Sequence, residues 1–229
     1  MSASSNPAMM KQMKGFLFDL DGTLIASESL KARALADVCA SYGIEANHDT
    51  YKEVMGRDWL AVRNHFLARY RFAPVVSEFD ERFRSIYLDL LEAGVAETPG
   101  AIEFLDASRR NGIKLGLVSS AAAWMVRKIF EKLALHGVFD VVLSREDVIQ
   151  HKPSPEPFLL ALRRLGLASS DVVIFEDSNA GVVAGRAAGC ACIAIRHYFN
   201  SAHDLSGAFR EISSFTELRD GLGLGGPVR

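Results

Sequence analysis

Cysteine is scarce in this chain of 229 residues: Cys39, Cys190 and Cys192 are all there are. Three, unevenly placed, cannot form a disulfide framework, which excludes a small cross-linked secreted fold and points to a reducing cytoplasm. Cys190 and Cys192 stand two apart in an expected strand and read as small buried hydrophobes. Long apolar runs are missing too: no stretch approaches the roughly 18 consecutive apolar residues of a membrane span. The opening MSASSNPAMMKQMK carries lysines but no apolar h-region, which argues against a secretory signal. Nor is there an excess of positive charge. Lysine and arginine number 26 against 28 acidic residues, a formal net charge of −2, which argues against a nucleic-acid surface. Internal repeats and low-complexity tracts are also lacking.

What is present is an ordinary globular composition, 49% hydrophobic and 24% charged. It suits one large α/β domain or a core with a modest insertion. Short apolar runs at 16–20, 114–118, 141–143, 172–175 and 191–195 alternate with helix-length segments at 101–110, 121–133, 155–165 and 180–188. Strand, helix, strand with short connections predicts an α/β, Rossmann-like parallel sheet with helices on both faces. Residues 28–96 break the alternation. Leu30, Ala34, Val38 and Tyr42 recur at helical spacing, with Gly43 as the expected stop. Phe79, Phe83, Ile86, Tyr87, Leu90 and Leu91 form a second stripe, with Ser77 as the expected cap and Gly94 as its end. The expected organisation is therefore a discontinuous core, 14–27 and 97–220, an inserted all-helical unit, 28–96, and flexible termini at 1–13 and 221–229.

Ligands of open α/β sheets bind beyond the carboxyl ends of the strands, and four chemically marked segments fall there. Asp19-Leu20-Asp21-Gly22-Thr23 closes the first run. A turn explains Asp21-Gly22, but Asp19 follows three buried apolar residues, where an unpaired carboxylate is costly. Ser119 and Ser120 end the second run and either cap the next helix or, with free backbone N–H groups, receive an anion. Lys152, in His151-Lys152-Pro153-Ser154-Pro155, is held extended by the proline after it. Glu176 and Asp177 end the fourth run. Parallel strands would gather Asp19, Asp21, Glu176 and Asp177, and such a group stays ionised only beside a cation. Oxygen-only donors with a phosphate favour Mg²⁺ over zinc. Lys152 and Ser119 would then meet the other phosphate oxygens. The predicted chemistry is phosphoryl transfer.

DLDGT at 19–23, SS at 119–120, KPSPEPF at 152–158 and FEDSNAG at 175–181, in that order, resemble the haloacid dehalogenase superfamily of phosphohydrolases. The resemblance implies a Rossmann-like core under a helical cap and a magnesium-dependent phosphatase acting on a small phosphorylated metabolite. It also implies an aspartyl-phosphate on Asp19, with Asp21 as general acid and base. Asp19, the Asp21 backbone carbonyl and Asp177 would hold Mg²⁺, with Glu176 direct or behind them, while Ser119, Ser120 and Lys152 would bind phosphate. Ala26 stands where many relatives are acidic. Lys31 stands about where related sugar-phosphate mutases carry a histidine, which weakens that alternative. A non-catalytic phosphate-ligand or partner-binding relative, the other alternative, would have lost a motif residue; none is lost. Arg57 is the candidate for reading a second anionic group. Trp59 and Trp124 are expected in the core, the histidines are expected to be structural or exposed, and His197 to Phe199 are expected at the rim.

Overall fold

The computed structural model describes residue 10 and residues 12–222; most of the termini expected to be flexible lie outside them. Among the described residues six strands form one parallel sheet in the order β3-β2-β1-β4-β5-β6. They are β1 (Gly15–Phe18), β2 (Lys114–Val118), β3 (Val141–Leu143), β4 (Val172–Glu176), β5 (Ala191–Ile195) and β6 (Arg210–Ile212). Side chains alternate across a strand, and both faces of the sheet are covered. Phe16, Phe18, Leu115, Leu117, Val173 and Phe175 enter one apolar cluster. Leu17, Val118, Ile174, Cys192 and Ala194 enter the other. That two-sided burial is why these strands read as continuous apolar runs. On the first face the Phe18 and Phe175 rings stack with centroids 4.8 Å apart, locking β1 beside β4.

Helices α1 (Glu28–Ala40), α2 (Trp59–Tyr70) and α3 (Val76–Ala93), with a 3-10 turn at His48–Glu53, lie between β1 and β2. Helices α4 (Ala101–Arg110), α5 (Ala123–Leu133), α6 (Glu156–Leu165) and α7 (Asn179–Ala187) alternate with the later strands. The chain leaves and re-enters the sheet region along a paired ribbon. Ala26 N–H donates to the Ala96 carbonyl at 2.8 Å and Thr98 N–H to the Leu24 carbonyl at 2.9 Å.

Several local expectations are corrected. β1 stops at Phe18 because the chain then turns back on itself, Leu24 and Ile25 N–H both meeting the Leu20 carbonyl. Ser77 lies inside α3, whose cap position is Val75, and α1 ends at Ala40, ahead of Gly43. Neither Ser119 nor Ser120 caps α5; Ala122 holds that place. β6 lacks a sequence signal: three residues, of which only Ile212 is buried.

Order 3-2-1-4-5-6 puts the reversal of strand order between β1 and β4, so the crevice forms where those two strands end. No helix among the described residues is long and apolar enough to cross a membrane.

Candidate active site

Asp19 follows β1 and donates its backbone N–H to the Phe175 carbonyl at 2.9 Å, extending the β1–β4 pairing by one step. Its carboxylate is thereby aimed past the sheet edge, beside the end of β4. Lys152 reaches it from the loop before α6, with Nζ 2.6 Å from Asp19 Oδ1. The same Nζ donates to Glu176 Oε1 at 2.6 Å and to the Val118 carbonyl at 2.8 Å. An ammonium has three donors, and here each has an acceptor, on a side chain only 3% exposed. Burial alone would lower this lysine, but the Asp19 and Glu176 carboxylates outweigh it and raise it.

Glu176 is immobilised from its other side. Oε2 accepts the N–H groups of Asp177 and Ser178, both at 3.0 Å, and the Ser178 hydroxyl at 2.9 Å. Gly181, on the first turn of α7, makes room for it: a Cβ there would fall 1.8 Å from Glu176 Cδ. The glycine is required by close approach, and its place in FEDSNAG follows from that contact.

Asp177 is buried and sits against the β1 turn. Gly22 has a φ of +76°, and a Cβ on it would fall 2.0 Å from Asp177 Oδ2, so both backbone geometry and space call for glycine. His197 Nε2 lies 2.9 Å from the same Oδ2. Phe199 N–H donates to His197 Nδ1 at 3.2 Å, so Nδ1 is the acceptor, and Nε2 carries the proton and donates to Asp177. Burial first, then His203 and Arg196, pull His197 down to about 4, which keeps the ring neutral near pH 7.

Asp21 faces away from this group. The Ser27 hydroxyl donates to its Oδ1, and Lys31 Nζ, from α1, lies 2.8 Å from Oδ2. Lys31 also pairs with Glu28 at 3.2 Å. Burial pushes Asp19 up to about 7, with Lys152 opposing and Glu176 and Asp21 adding to the rise. Burial, then Glu176 and Asp19, raises Asp177 well above the usual carboxylate range.

Asp19, Asp21, Glu28, Lys31, Lys152, Glu176 and Asp177 line one cavity of about 330 Å³, walled also by Arg57, Trp59, Arg84, Trp124 and Arg145. Of the expected residues, Asp19, Asp21, Ser120, Lys152, Glu176, Asp177 and Arg57 all reach it. Ser119 is buried beside it and accepts Ala121 N–H at 3.0 Å. Trp59 and Trp124, expected in the core, do pack against it and also form the cavity wall; their apolar helical spacing does not separate the two. Sequence reasoning also missed Glu28 and the roles of Lys31 and His197. Lys31 at three residues from Glu28 reads as a solvated ion pair, and a lone histidine after a strand carries no spacing signal.

The residues suit an oxygen-coordinated cation, but not as a cage of four side chains. Among the described residues, no three His, Cys, Asp or Glu side chains converge as a metal-binding group. Asp21 is turned to Ser27 and Lys31, and Glu176 is spent on Lys152 and the β4–α7 turn. Asp19 Oδ2 and Asp177 Oδ1 keep no hydrogen-bond partner among the described residues. Two buried carboxylates with raised affinity for protons, each with one oxygen to spare, are a donor set that a divalent cation satisfies.

The comparisons agree with this architecture. A family model described as haloacid dehalogenase-like hydrolase matches residues 16–195. Hexitol phosphatase A of Escherichia coli (strain K12) is 34% identical over 183 residues, 80% of this chain and 82% of that one. A phosphoglycolate phosphatase of Yersinia pestis is 29% identical over 220 residues, 93% of this chain and 95% of that one. The crystal structure of CbbY from Rhodobacter sphaeroides in complex with phosphate superposes with a TM-score of 0.81 at 27% identity, covering 92% of this chain and 99% of that one.

Proposed function

The chain belongs to the haloacid dehalogenase-like hydrolase family, on its phosphatase branch, and from that premise we propose that it hydrolyses small phosphate monoesters through a covalent intermediate on Asp19. The observation that carries the reading is the position of Lys152, which presents an ammonium against Asp19 while anchored to Glu176 and the Val118 carbonyl. A cation fixed there opposes the burial that raises Asp19, favouring the ionised nucleophile, and meets the negative charge of the transferring phosphate.

In this reading a carboxylate oxygen of Asp19 bonds to phosphorus as the ester P–O bond breaks, and Asp21 gives its proton to the departing alcohol. Asp21 then takes a proton from water as that water attacks the aspartyl-phosphate, releasing inorganic phosphate and restoring the Asp19 carboxylate. Ser119, Ser120 and Lys152 bind the phosphate oxygens. The Asp19 and Asp177 side chains and the Asp21 backbone carbonyl would hold Mg²⁺, whose charge would offset that of the phosphate. Glu176 serves by holding Lys152, and His197 by engaging Asp177 Oδ2, which leaves Oδ1 as the oxygen that would meet the ion.

Residues 28–96 are the cap, joined to the core through the Leu24–Ala26 and Ala96–Thr98 ribbon and contributing Lys31, Arg57 and Trp59 to the cavity. Its size suits a phosphorylated metabolite of the cytoplasm, such as a sugar, polyol or hydroxy-acid phosphate, as the names of the relatives suggest. Arg57 would pair with a second anionic group where the substrate has one.

The test is release of phosphate from p-nitrophenyl phosphate with and without Mg²⁺. We expect metal-dependent turnover that falls by about three orders of magnitude or more in Asp19→Asn. Turnover by Asp19→Asn at the parent rate would overturn the nucleophile, and no metal-dependent release at any pH from 5 to 9 would overturn the activity.

A further inference from the structure

Beyond Asp21, away from Asp19, lies a polar group that the steps above leave unused. Lys31 Nζ is 2.8 Å from Asp21 Oδ2 and 3.2 Å from Glu28 Oε1. The Glu28 contact takes one of its three donors and the Asp21 contact is an ion pair, so Lys31 keeps a donor with no acceptor among the described residues. The Lys31 side chain is 15% exposed and lines the cavity with Asp21, Glu28 and Tyr51. Glu28 is buried beside Tyr51, and among the described residues its Oε2 has no hydrogen-bond partner. A charged carboxylate half-satisfied in this way is costly, and here the result is to hold one ammonium at a fixed point next to the proposed general acid.

That position has chemical content. The oxygen that Asp21 protonates is the ester oxygen of the leaving group, so a donor in contact with Asp21 Oδ2 lies one hydrogen-bonded step further along the leaving group. A donor there would face the substituent on the carbon next to the ester carbon. Charge decides which substituent fits. With Asp21 protonated for the acid step, the ammonium still stands against the Glu28 carboxylate, so the patch does not carry the surplus positive charge a substrate carboxylate needs. A neutral hydroxyl oxygen can accept from Lys31 without that repulsion. Arg57 and Arg84 are exposed at the rim, and Arg145 is paired with Glu146 at 3.4 Å; these serve groups further from the ester.

We infer that Lys31, held by Glu28, is a specificity-determining residue that donates to a hydroxyl on the carbon adjacent to the ester carbon, which makes polyol and sugar phosphates the substrate class and disfavours phosphoglycolate. This rests on the phosphatase reading above and narrows it.

Three esters of nearly equal size separate the possibilities: ethyl phosphate, 2-hydroxyethyl phosphate and phosphoglycolate. In the parent enzyme kcat/KM for the hydroxyethyl ester should exceed that for the ethyl ester by roughly 10- to 100-fold, the value of a hydrogen bond to a charged donor, and should also exceed that for phosphoglycolate. Lys31→Met should bring the hydroxyethyl-to-ethyl ratio close to one, whatever it does to the common rate. Glu28→Gln removes a negative charge without changing shape and should raise phosphoglycolate relative to the hydroxyethyl ester, so it carries the test if Lys31→Met does not fold. Parent preference for phosphoglycolate, or a ratio unchanged by Lys31→Met, overturns the inference. Hydrolysis of p-nitrophenyl phosphate with equal rates on all three alkyl esters removes it while leaving the phosphatase standing. No hydrolysis of any ester by the parent removes both.

Discussion

Asp19 and Asp21 stand two residues apart and each has a lysine against it, but the lysines come from different regions of the molecule. Lys152 belongs to the sheet core and all three of its donors are matched: by Asp19, by Glu176, which is itself pinned by the turn into α7, and by a main-chain carbonyl. Lys31 belongs to α1, in the helical region, and shares two carboxylates with a donor left over. The core half of the cavity is thus completed within the protein, leaving Asp19 Oδ2 and Asp177 Oδ1 for a ligand. The helical half keeps polar capacity in reserve. A half that is finished can run one reaction on any ester; a half that is unfinished is where esters can be told apart.

The largest effect that would break this contrast is expected at Lys152. Lys152→Met leaves Asp19 and Glu176, both buried, facing each other with no cation between them. Removing one partner from a buried ion pair costs about 3–5 kcal/mol, because the remaining charges keep the desolvation cost without the attraction. Urea unfolding without added metal should show a loss of that size, and turnover of p-nitrophenyl phosphate should fall about 100-fold or more. A variant with parental stability and turnover would mean that the core half is not organised around this ammonium.

The two halves also differ in how far the sequence discloses them. Asp19, Glu176 and Asp177 each end an apolar run buried on both faces, where a carboxylate has no structural excuse, so their chemistry stands out from composition and order alone. Lys152 is legible through the proline after it and through the motif it opens. The parallel sheet is legible for the same reason: β2, β3 and β5 coincide with their apolar runs residue for residue. β6 is not, because three residues at the sheet edge, one of them buried, make no run. Glu28 and Lys31 are hidden by their helix, where an acidic residue three before a lysine is what any solvated face offers. Trp59 and Trp124 are hidden by the ambiguity of apolar spacing, since a cavity wall and a core look alike in one dimension. His197 gains its role only through the tautomer that Phe199 N–H imposes.

Gly181→Ala sharpens the contrast at a smaller scale, because it disturbs the core half without touching a charge. The added methyl needs the space taken by the Glu176 carboxylate, whose Cδ would lie 1.8 Å away. Overpacking of this kind costs about 1–3 kcal/mol, offset by up to about 1 kcal/mol from replacing glycine within a helix. The net should be a modest destabilisation with a disproportionate loss of turnover, since moving Glu176 moves the anchor of Lys152. Circular dichroism melting and phosphate release read the two separately. Lower stability with unchanged turnover would show that Lys152 keeps its place without Glu176.

The smallest expected effect lies where the two regions meet on the surface. Glu92, at the end of α3, pairs with Lys128 and, at 2.6 Å, with Lys132 of α5, and the Lys132 ammonium also donates to the Glu92 carbonyl at 2.8 Å. Hydrogen bonds from Lys128 first, then Lys132, hold the Glu92 carboxyl down at about 2, against an ordinary value of 4.5. A carboxyl lowered in the folded state contributes stability above its unfolded value and loses it as pH falls through the folded one. Glu92→Gln should therefore lower the Tm slightly at pH 7, by an amount that shrinks as pH falls from 4.5 toward 2 and as salt rises, because the pair is exposed and screened. If Glu92→Gln left the Tm unchanged at every pH, the ammonium contact with the carbonyl rather than the carboxylate would be holding α3 to α5, and the tie between the regions would be independent of charge on Glu92. Saturated turnover should be the same in both proteins, since this contact is remote from Asp19 and Asp21 and bears only on how firmly the selecting half is fastened to the reacting one.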